Sequence, residues 1–231
     1  MMRRTPIETS LISNRLLGGH KVVPFLDLGA AYRELKLEIE AAVSRVLESG
    51  WYILGPEVEA FEAEWAAYCD AEHAVGLANG LDALTLALRA LGIGPGDEVI
   101  VPANTYIATW LAVSAVGATP VPVEPNALTY NIDPALIETA ITSNTRAVLP
   151  VHLYGQPVDL DPILSIARRH GLRVIEDAAQ AHGAMYKGRR IGAHGDIFCW
   201  SIYPVKSLRA FGDDGAITTN DYNLAKHIMR L

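Results

Sequence analysis

Short apolar runs alternate with amphipathic segments along most of the chain, from His73 to Thr219. Apolar runs bounded by turn residues predict strands, and they occur at 73–78, 98–102, 120–123, 146–151, 172–175, 197–203 and 216–219. Apolar positions at three- and four-residue steps predict helices between them, at 81–91, 105–116, 134–141 and 162–170. This alternation predicts a three-layer α/β (αβα) fold, in which helices cover both faces of a mostly parallel sheet.

Two helices are predicted before the first of these strands. Apolar residues recur through 32–49 until Gly50 ends the pattern, and Pro56 suits the first position of a second helix. The loop between them, 51–55, is unusually apolar, and 24–28 forms a short strand or an extended lead-in. The prolines of the run 120–123 favour an edge or a terminal position for this short strand.

Composition narrows the class of protein. Half of the 231 residues are hydrophobic, which argues against disorder, and the net charge of −7 without a basic cluster argues against nucleic acid as a partner. No apolar run is long enough to span a bilayer. Cys69 and Cys199 lie in apolar surroundings and are interpreted as buried thiols. We expect a cytoplasmic protein with a flexible N-terminal extension at 1–21 and one domain at 22–231.

An acid at a strand end and a lysine after the next apolar run suggest cofactor chemistry. The predicted strand 172–175 ends on Glu176 and Asp177, and Lys206 follows the run 197–203. Pyridoxal phosphate requires a lysine amine that holds it as a Schiff base and a carboxylate that keeps the pyridine nitrogen protonated. Taken singly, such an acid is more often a helix cap or a surface charge, and a single lysine is usually solvated.

Three motifs in the right order strengthen this hypothesis. They are the segments E-D-A-A-Q-A-H-G at 176–183, S-I-Y-P-V-K at 201–206 and G-D-D-G at 212–215. The chain thereby resembles the DegT/StrS-type nucleotide-sugar aminotransferases. The resemblance implies the large domain of a fold-type-I pyridoxal phosphate enzyme. Because the chain stops inside an amphipathic run at Leu231, we expect the large domain alone, without the family's smaller C-terminal domain.

The resemblance also implies roles for individual residues. Lys206 would hold the cofactor and then shuttle the proton, and Asp177 would face the pyridine nitrogen, although Glu176 competes on residue type alone. The remaining cofactor contacts would come from a phosphate-binding turn, a stacking aromatic ring, an amide near the ring oxygen and a hydroxyl near the phosphate: Gly80, Leu81, Asp82, Tyr106, Gln180 and Ser201.

Three histidine and tyrosine positions have less specific interpretations. His182 either supports Asp177 through a hydrogen bond or is a structural histidine, and these alternatives stay open. His152 and Tyr154 belong to a V-H-L-Y-G segment and are expected only to form a pocket wall. No zinc-spaced set of cysteines and histidines occurs, so no metal is expected.

The activity implied by the resemblance is transamination of a nucleotide-linked keto sugar, with glutamate as the amino donor, in a homodimer. The A-N-G-L-D-A-L form at 78–84 favours a 3-keto-6-deoxyhexose. Two alternatives stay open. Arg209 and Asp214 depart from the family's usual residues and favour an incomplete or inactive homologue. The family's cofactor-dependent sugar dehydratases have histidine at the position of Lys206, so the lysine favours transamination.

Overall fold

The computed structural model describes residues 25–231, and the predicted extension at 1–21 lies outside the described residues. The chain divides into two compact units, residues up to Val43 and Ser44–Leu231. The described part of the first unit holds most of helix α1 (Gly29–Ser49), which departs from helical backbone angles at Leu35. Residues 25–28, the described part of the predicted lead-in at 24–28, form no strand.

The second unit contains the alternating strands and helices. Its helices are α2 (Pro56–Tyr68), α3 (Gly80–Ala90), α4 (Ile107–Ala115), α5 (Pro134–Ile137), α6 (Leu160–His170) and α7 (Tyr222–Ile228). Its strands are β1 (His73–Leu77), β2 (Glu98–Pro102), β3 (Thr119–Val123), β4 (Thr145–Val148), β5 (Arg173–Asp177), β6 (Met185–Tyr186), β7 (Arg189–Arg190), β8 (Ile197–Ser201) and β9 (Gly215–Thr219).

Seven strands form one sheet in the order β1-β9-β8-β5-β4-β2-β3, and β6 and β7 form a separate hairpin. The pairs β8-β5, β5-β4, β4-β2 and β2-β3 are parallel, whereas β9 runs antiparallel to both of its neighbours. The mostly parallel sheet predicted from the sequence is therefore confirmed. The strand β3 lies at the edge of the sheet, which is one of the two positions that its prolines favour.

Alternating side chains of each strand bury two faces of the sheet, which is why the fold has three layers. On β8, Ile197 and Cys199 join a cluster with residues of α3, α4 and α7. Phe198 and Trp200 point to the opposite face and join a cluster with residues of α2. A third cluster places α6 against β2, β4 and β5. Both faces of the sheet are thus covered by helices.

Several predicted boundaries shift by a few residues, for local reasons. The helix predicted from Thr105 begins at Ile107, because Tyr106 has extended backbone angles and takes the N-cap position. The helix predicted at 134–141 is one α-turn followed by a 3₁₀ turn at Glu138–Ala140. The strand predicted to stop at Ile175 continues through Asp177, which pairs with Cys199 of β8. The strand predicted to reach Tyr203 ends at Ser201.

Helices long and apolar enough to cross a membrane are absent from the part of the chain that the structure describes.

The N-terminus of α3 is seated directly on the paired ends of β8 and β9. Ser201 and Gly215 face each other across these strands. A Cβ atom at Gly80 would lie 2.6 Å from the Cβ of Ser201, and one at Gly215 would lie 2.5 Å from the backbone carbon of Asn79. Both glycines are therefore required by close approach of the backbone, which brings the start of α3 against the ends of two strands.

This close approach generates a stability prediction. We expect Gly215→Ala to lower the free energy of unfolding by about 1–3 kcal/mol, because the added methyl group would collide with the backbone of Asn79. Gly212→Ala is the matched control, since a Cβ atom at Gly212 would have nothing within 4 Å. Urea unfolding measures both variants, and equal stability of the two would show that the packing of α3 on β9 is looser than described.

Candidate active site

One cavity of about 500 Å³ opens where β1, β2, β5 and β8 end. Ligands of parallel sheets bind at this edge, beyond the carboxyl ends of the strands. The cavity is lined by most of the site residues expected from the sequence: Gly80, Leu81, Tyr106, Asp177, Gln180, Ser201 and Lys206. Asp82 is the one that the structure does not place in its lining.

Asp177 is the buried acid of this cavity, with only 6% of its surface exposed. Its Oδ1 accepts a hydrogen bond from the N–H of Ala179 at 3.1 Å, and its Oδ2 accepts one from the hydroxyl of Thr109 at 2.9 Å. Burial raises the pKa of Asp177, while these two donors and the nearby charge of Lys206 oppose the rise. Both donors favour the charged form, the form that a pyridinium partner needs.

Glu176 lies on the other side of the strand, where its side chain pairs with a histidine. His152 Nε2 lies 2.9 Å from Oε2 of Glu176, and both side chains are fully buried. The N–H of Val158 donates to Nδ1 of His152 at 3.1 Å, so the ring proton is on Nε2 and is donated to Glu176. Of the two candidate acids, only Asp177 lines the cavity.

The expectation for His152 was wrong. It is fully buried in this pair with Glu176 and is not part of the lining of the cavity. Tyr154 is also absent from the lining, and its side chain is exposed. Its backbone acts instead: the N–H of Tyr154 donates to Oε1 of Gln180 at 2.7 Å. This bond fixes the amide of Gln180 and leaves its NH₂ group available as a donor.

The start of α3 presents free backbone donors to the cavity. The side chain of Asn79 caps the helix by accepting the N–H of Asp82 at 2.8 Å. Among the described residues, the N–H groups of Gly80 and Leu81 have no hydrogen-bond partner. The helix dipole lies behind them and Ser201 packs against Gly80, which is an arrangement that suits an anion such as phosphate. Asp82 contributes to this turn by binding Asn79 and not by lining the cavity.

Tyr106 and Lys206 approach the cavity from two loops. The side chain of Tyr106, just before α4, is 70% exposed and available to stack on a planar ligand. Lys206 is partly buried in the loop after β8, where its N–H donates to the carbonyl of Tyr203 at 2.8 Å. The N–H of Ala210 donates to the carbonyl of Ile202 at 2.8 Å and closes the base of this loop.

His182 does not support Asp177. Its ring packs between Trp65 and Trp200, with ring centroids 5.9 and 5.6 Å away, and burial lowers the pKa of His182 to about 4. His182 is therefore a buried part of this aromatic cluster, as the structural alternative has it, although neither ring nitrogen has a hydrogen-bond partner among the described residues. The residue that does support Asp177 is Thr109, which sequence reasoning missed. Its position one helical turn after Thr105 was the only available signal.

One departure from the family motifs, Asp214, lies next to a residue of the cavity lining. Asp213 lines the cavity, whereas Asp214 does not. Oδ1 of Asp214 accepts a hydrogen bond from the N–H of Gly215 at 2.7 Å. Asp214 has no positive φ angle, so the backbone does not need a glycine there. Partial burial raises the pKa of the Asp214 carboxyl.

The residues around the cavity fit pyridoxal phosphate. They offer free N–H groups and a hydroxyl for its phosphate, a buried carboxylate for its ring nitrogen and an amine for its aldehyde. Within residues 25–231, no group of three or more histidine, cysteine, aspartate or glutamate side chains is arranged to hold a metal ion.

Comparison with curated proteins identifies relatives. The dTDP-3-amino-3,4,6-trideoxy-alpha-D-glucose transaminase of Streptomyces venezuelae is 63% identical over 209 residues, which are 90% of this chain and 55% of that protein. The dTDP-3-amino-3,6-dideoxy-alpha-D-galactopyranose transaminase of Aneurinibacillus thermoaerophilus is 59% identical over 207 residues, covering 90% of this chain and 57% of that protein. The chain thus spans little more than half the length of these relatives.

Solved structures agree with the sequence relatives. DesV of S. venezuelae, in complex with a ketimine intermediate, is 62% identical, with a TM-score of 0.90 over 92% of this chain and 57% of that one. NtdA of Bacillus subtilis, with bound cofactor PMP, is 39% identical, with a TM-score of 0.85 over 92% of this chain and 48% of that one.

The family comparison covers the whole of the sheet and the cavity. Residues 33–231 match the DegT/DnrJ/EryC1/StrS aminotransferase family. The chain therefore belongs to the DegT/DnrJ/EryC1/StrS aminotransferase family.

Proposed function

We propose that this protein uses pyridoxal phosphate to transfer an amino group to a nucleotide-linked keto sugar. The observation that carries the proposal is the meeting, in one cavity, of a buried carboxylate, a lysine and an anion-binding helix start: Asp177, Lys206 and the N-terminus of α3. Membership of an aminotransferase family and a PMP-bound structural relative support the choice of cofactor.

When bound, pyridoxal phosphate supplies an electron sink for the bonds at the amino-bearing carbon. The residues of this chain that line the cavity would make the following contacts with it. The Gly80 and Leu81 N–H groups and the Ser201 hydroxyl would bind the phosphate, and the Asp177 carboxylate would hold the proton on the ring nitrogen. The Nζ amine of Lys206 would anchor the cofactor and, once released, would take up and return a proton at the reacting carbon.

The sugar is proposed to be a 3-keto-6-deoxyhexose. The A-N-G-L-D-A-L segment at 78–84 first favours it. The two curated relatives described above are both named as transaminases of dTDP-linked 3-amino deoxysugars, which supports the same carbon. Glutamate is proposed as the amino donor from the family resemblance alone.

We also propose a homodimer in the cytoplasm. The loop 51–54 supports self-association, because the side chains of Trp51, Tyr52, Ile53 and Leu54 are all more than half exposed. Four consecutive exposed apolar residues of this size are unusual on a free surface and are typical of an interface.

A catalytically incomplete homologue is the second candidate. Arg209 and Asp214 replace residues usual in the family, and the acid at 214 lies next to Gly215, which packs on the anion-binding turn. Negative charge near a phosphate site weakens phosphate binding. A cofactor-dependent dehydratase is less well supported, because Lys206 lines the cavity where that class has histidine.

The first prediction is that Lys206 is the attachment site. Borohydride reduction of the protein with bound pyridoxal phosphate should fix the label to the peptide that contains Lys206, because this lysine lines the cavity. Mass spectrometry of the digest locates the label. Lys187 is the internal control, since its amine pairs with Asp161 at the surface. Label on Lys187 or another lysine would refute the assignment.

The second prediction concerns the charge of Asp177. Asp177→Asn should preserve the fold and lower transamination at least about tenfold, roughly 1.4 kcal/mol of barrier, because an amide cannot keep the ring nitrogen protonated. Steady-state kinetics measure the loss. The control is Asp133→Asn, where the side chain caps α5 and asparagine caps equally well, so activity should be unchanged. A loss of less than tenfold in Asp177→Asn argues against the pyridinium role.

The third prediction concerns the sugar. Nucleotide-linked 3-keto and 4-keto 6-deoxyhexoses, assayed side by side with glutamate, should give amino sugar faster from the 3-keto compound. Mass spectrometry of the products measures both rates. Preference for the 4-keto compound would reject the proposed carbon. Cofactor binding with conversion of neither sugar would favour the incomplete homologue.

A further inference from the structure

Two threonine hydroxyls link the cavity to the buried oxygen of Asp177. Thr105 lines the cavity just before α4, and Thr109 lies in the first turn of that helix with no exposed surface. The hydroxyl oxygens of Thr105 and Thr109 are 2.9 Å apart, and Thr109 Oγ1 is 2.9 Å from Asp177 Oδ2. The three side chains therefore form a continuous hydrogen-bonded series.

With Asp177 as the anion that the proposed function requires, the protons of the hydroxyl groups set the direction of this series. An ionised carboxylate only accepts hydrogen bonds, so Thr109 must donate its single hydroxyl proton to Asp177 Oδ2. The oxygen of Thr109 can then only accept, which makes Thr105 the donor in the bond between the two hydroxyls. Each bond polarises the next, so Thr105 strengthens the bond that Thr109 gives to the carboxylate.

The hydrogen bond from Thr109 is important to Asp177 because the carboxylate has few other partners. The only other hydrogen bond to the carboxylate among the described residues comes from the N–H of Ala179. Two charged or chargeable groups lie near it: Lys206 on the loop after β8 and His152 after β4. The thiol of Cys199 faces it from β8 and, because burial raises its pKa, stays neutral, while Glu176 is occupied by His152.

We propose that Thr109 is a positioning residue that holds Asp177 as an anion in its buried place, with Thr105 polarising Thr109 from the cavity side. The inference rests on the proposed function, because the charge of Asp177 matters for catalysis only if it faces the ring nitrogen of the cofactor. Thr109 itself is fully buried and is not part of the cavity lining, so it acts through Asp177 and not on a ligand.

The test measures the carboxylate itself, in the whole chain freed of cofactor. Aspartate labelled with ¹³C at the carboxyl carbon is titrated by NMR, and the Asp177 signal is assigned by its absence in Asp177→Asn. Thr109→Val should raise the pKa of Asp177 by about one to two units, as expected when a hydrogen bond to a charged group is lost. Thr109→Ser keeps the hydroxyl and should leave the pKa within about 0.3 units of the parent.

Two further variants separate the mechanism from general damage. Thr105→Val should raise the Asp177 pKa by about half a unit, since it removes the polarising donor but not the direct bond. Thr145→Val is the matched control: Thr145 is also buried, and its hydroxyl lies 3.4 Å from a different carboxylate, that of Glu98. It should leave the Asp177 titration unchanged.

A rise below about half a unit in Thr109→Val, or an equal rise in Thr145→Val, overturns the inference. If Thr109→Val does not fold, Thr105→Val decides alone, and the absence of any rise then overturns it. The titration needs neither cofactor nor sugar, so it stays informative if transamination is not the activity. In that case the titration would still show that Thr109 stabilises the ionised form of Asp177, and only the proposed reaction would be rejected.

Discussion

A carboxylate kept in a nearly dry place at the end of a strand is the constraint on which this site depends. Burial removes most of the water around Asp177, so the protein must supply donors from fixed positions. One comes from the chain directly after the strand, at Ala179, and the other comes from α4. The backbone is held as well, because Asp177 donates to Pro150 and accepts from His152. The negative charge of Asp177 therefore depends on the position of α4 relative to β5, because Thr109 of α4 donates one of the two hydrogen bonds.

The other side of the cavity, at the start of α3, also depends on a few fixed contacts. The turn at Asn79 must leave two N–H groups free, and the backbone must come close enough to Ser201 for a hydroxyl to share their ligand. Glycine at positions 80 and 215 permits this close approach. The free N–H groups beside Ser201 and the buried carboxylate thus lie near the ends of adjacent strands, which suits a ligand that carries a phosphate at one end and a ring nitrogen at the other.

Most of the fold could be predicted from the sequence, and so could the motif residues that line part of the cavity, because both depend on local patterns. Alternating apolar runs specify the sheet, and Asp177, Gln180, Ser201 and Lys206 stand within recognisable motifs. Thr109 and the burial of His152 could not be predicted, since each depends on a contact between residues far apart in the chain. Tyr154 shows the same limit: its side chain suggested a pocket wall, but its N–H makes the contact that matters.

The edge strand β3 has a consequence for how molecules of this protein meet in solution. Thr119 donates its N–H inward, to Asp97, so in an extended strand the nitrogens of Pro120 and Pro122 point outward. Neither proline has a hydrogen to donate there. A strand from another molecule would find carbonyl groups but no matching donors along this border, and the sheet cannot be extended at β3 by stacking copies edge to edge.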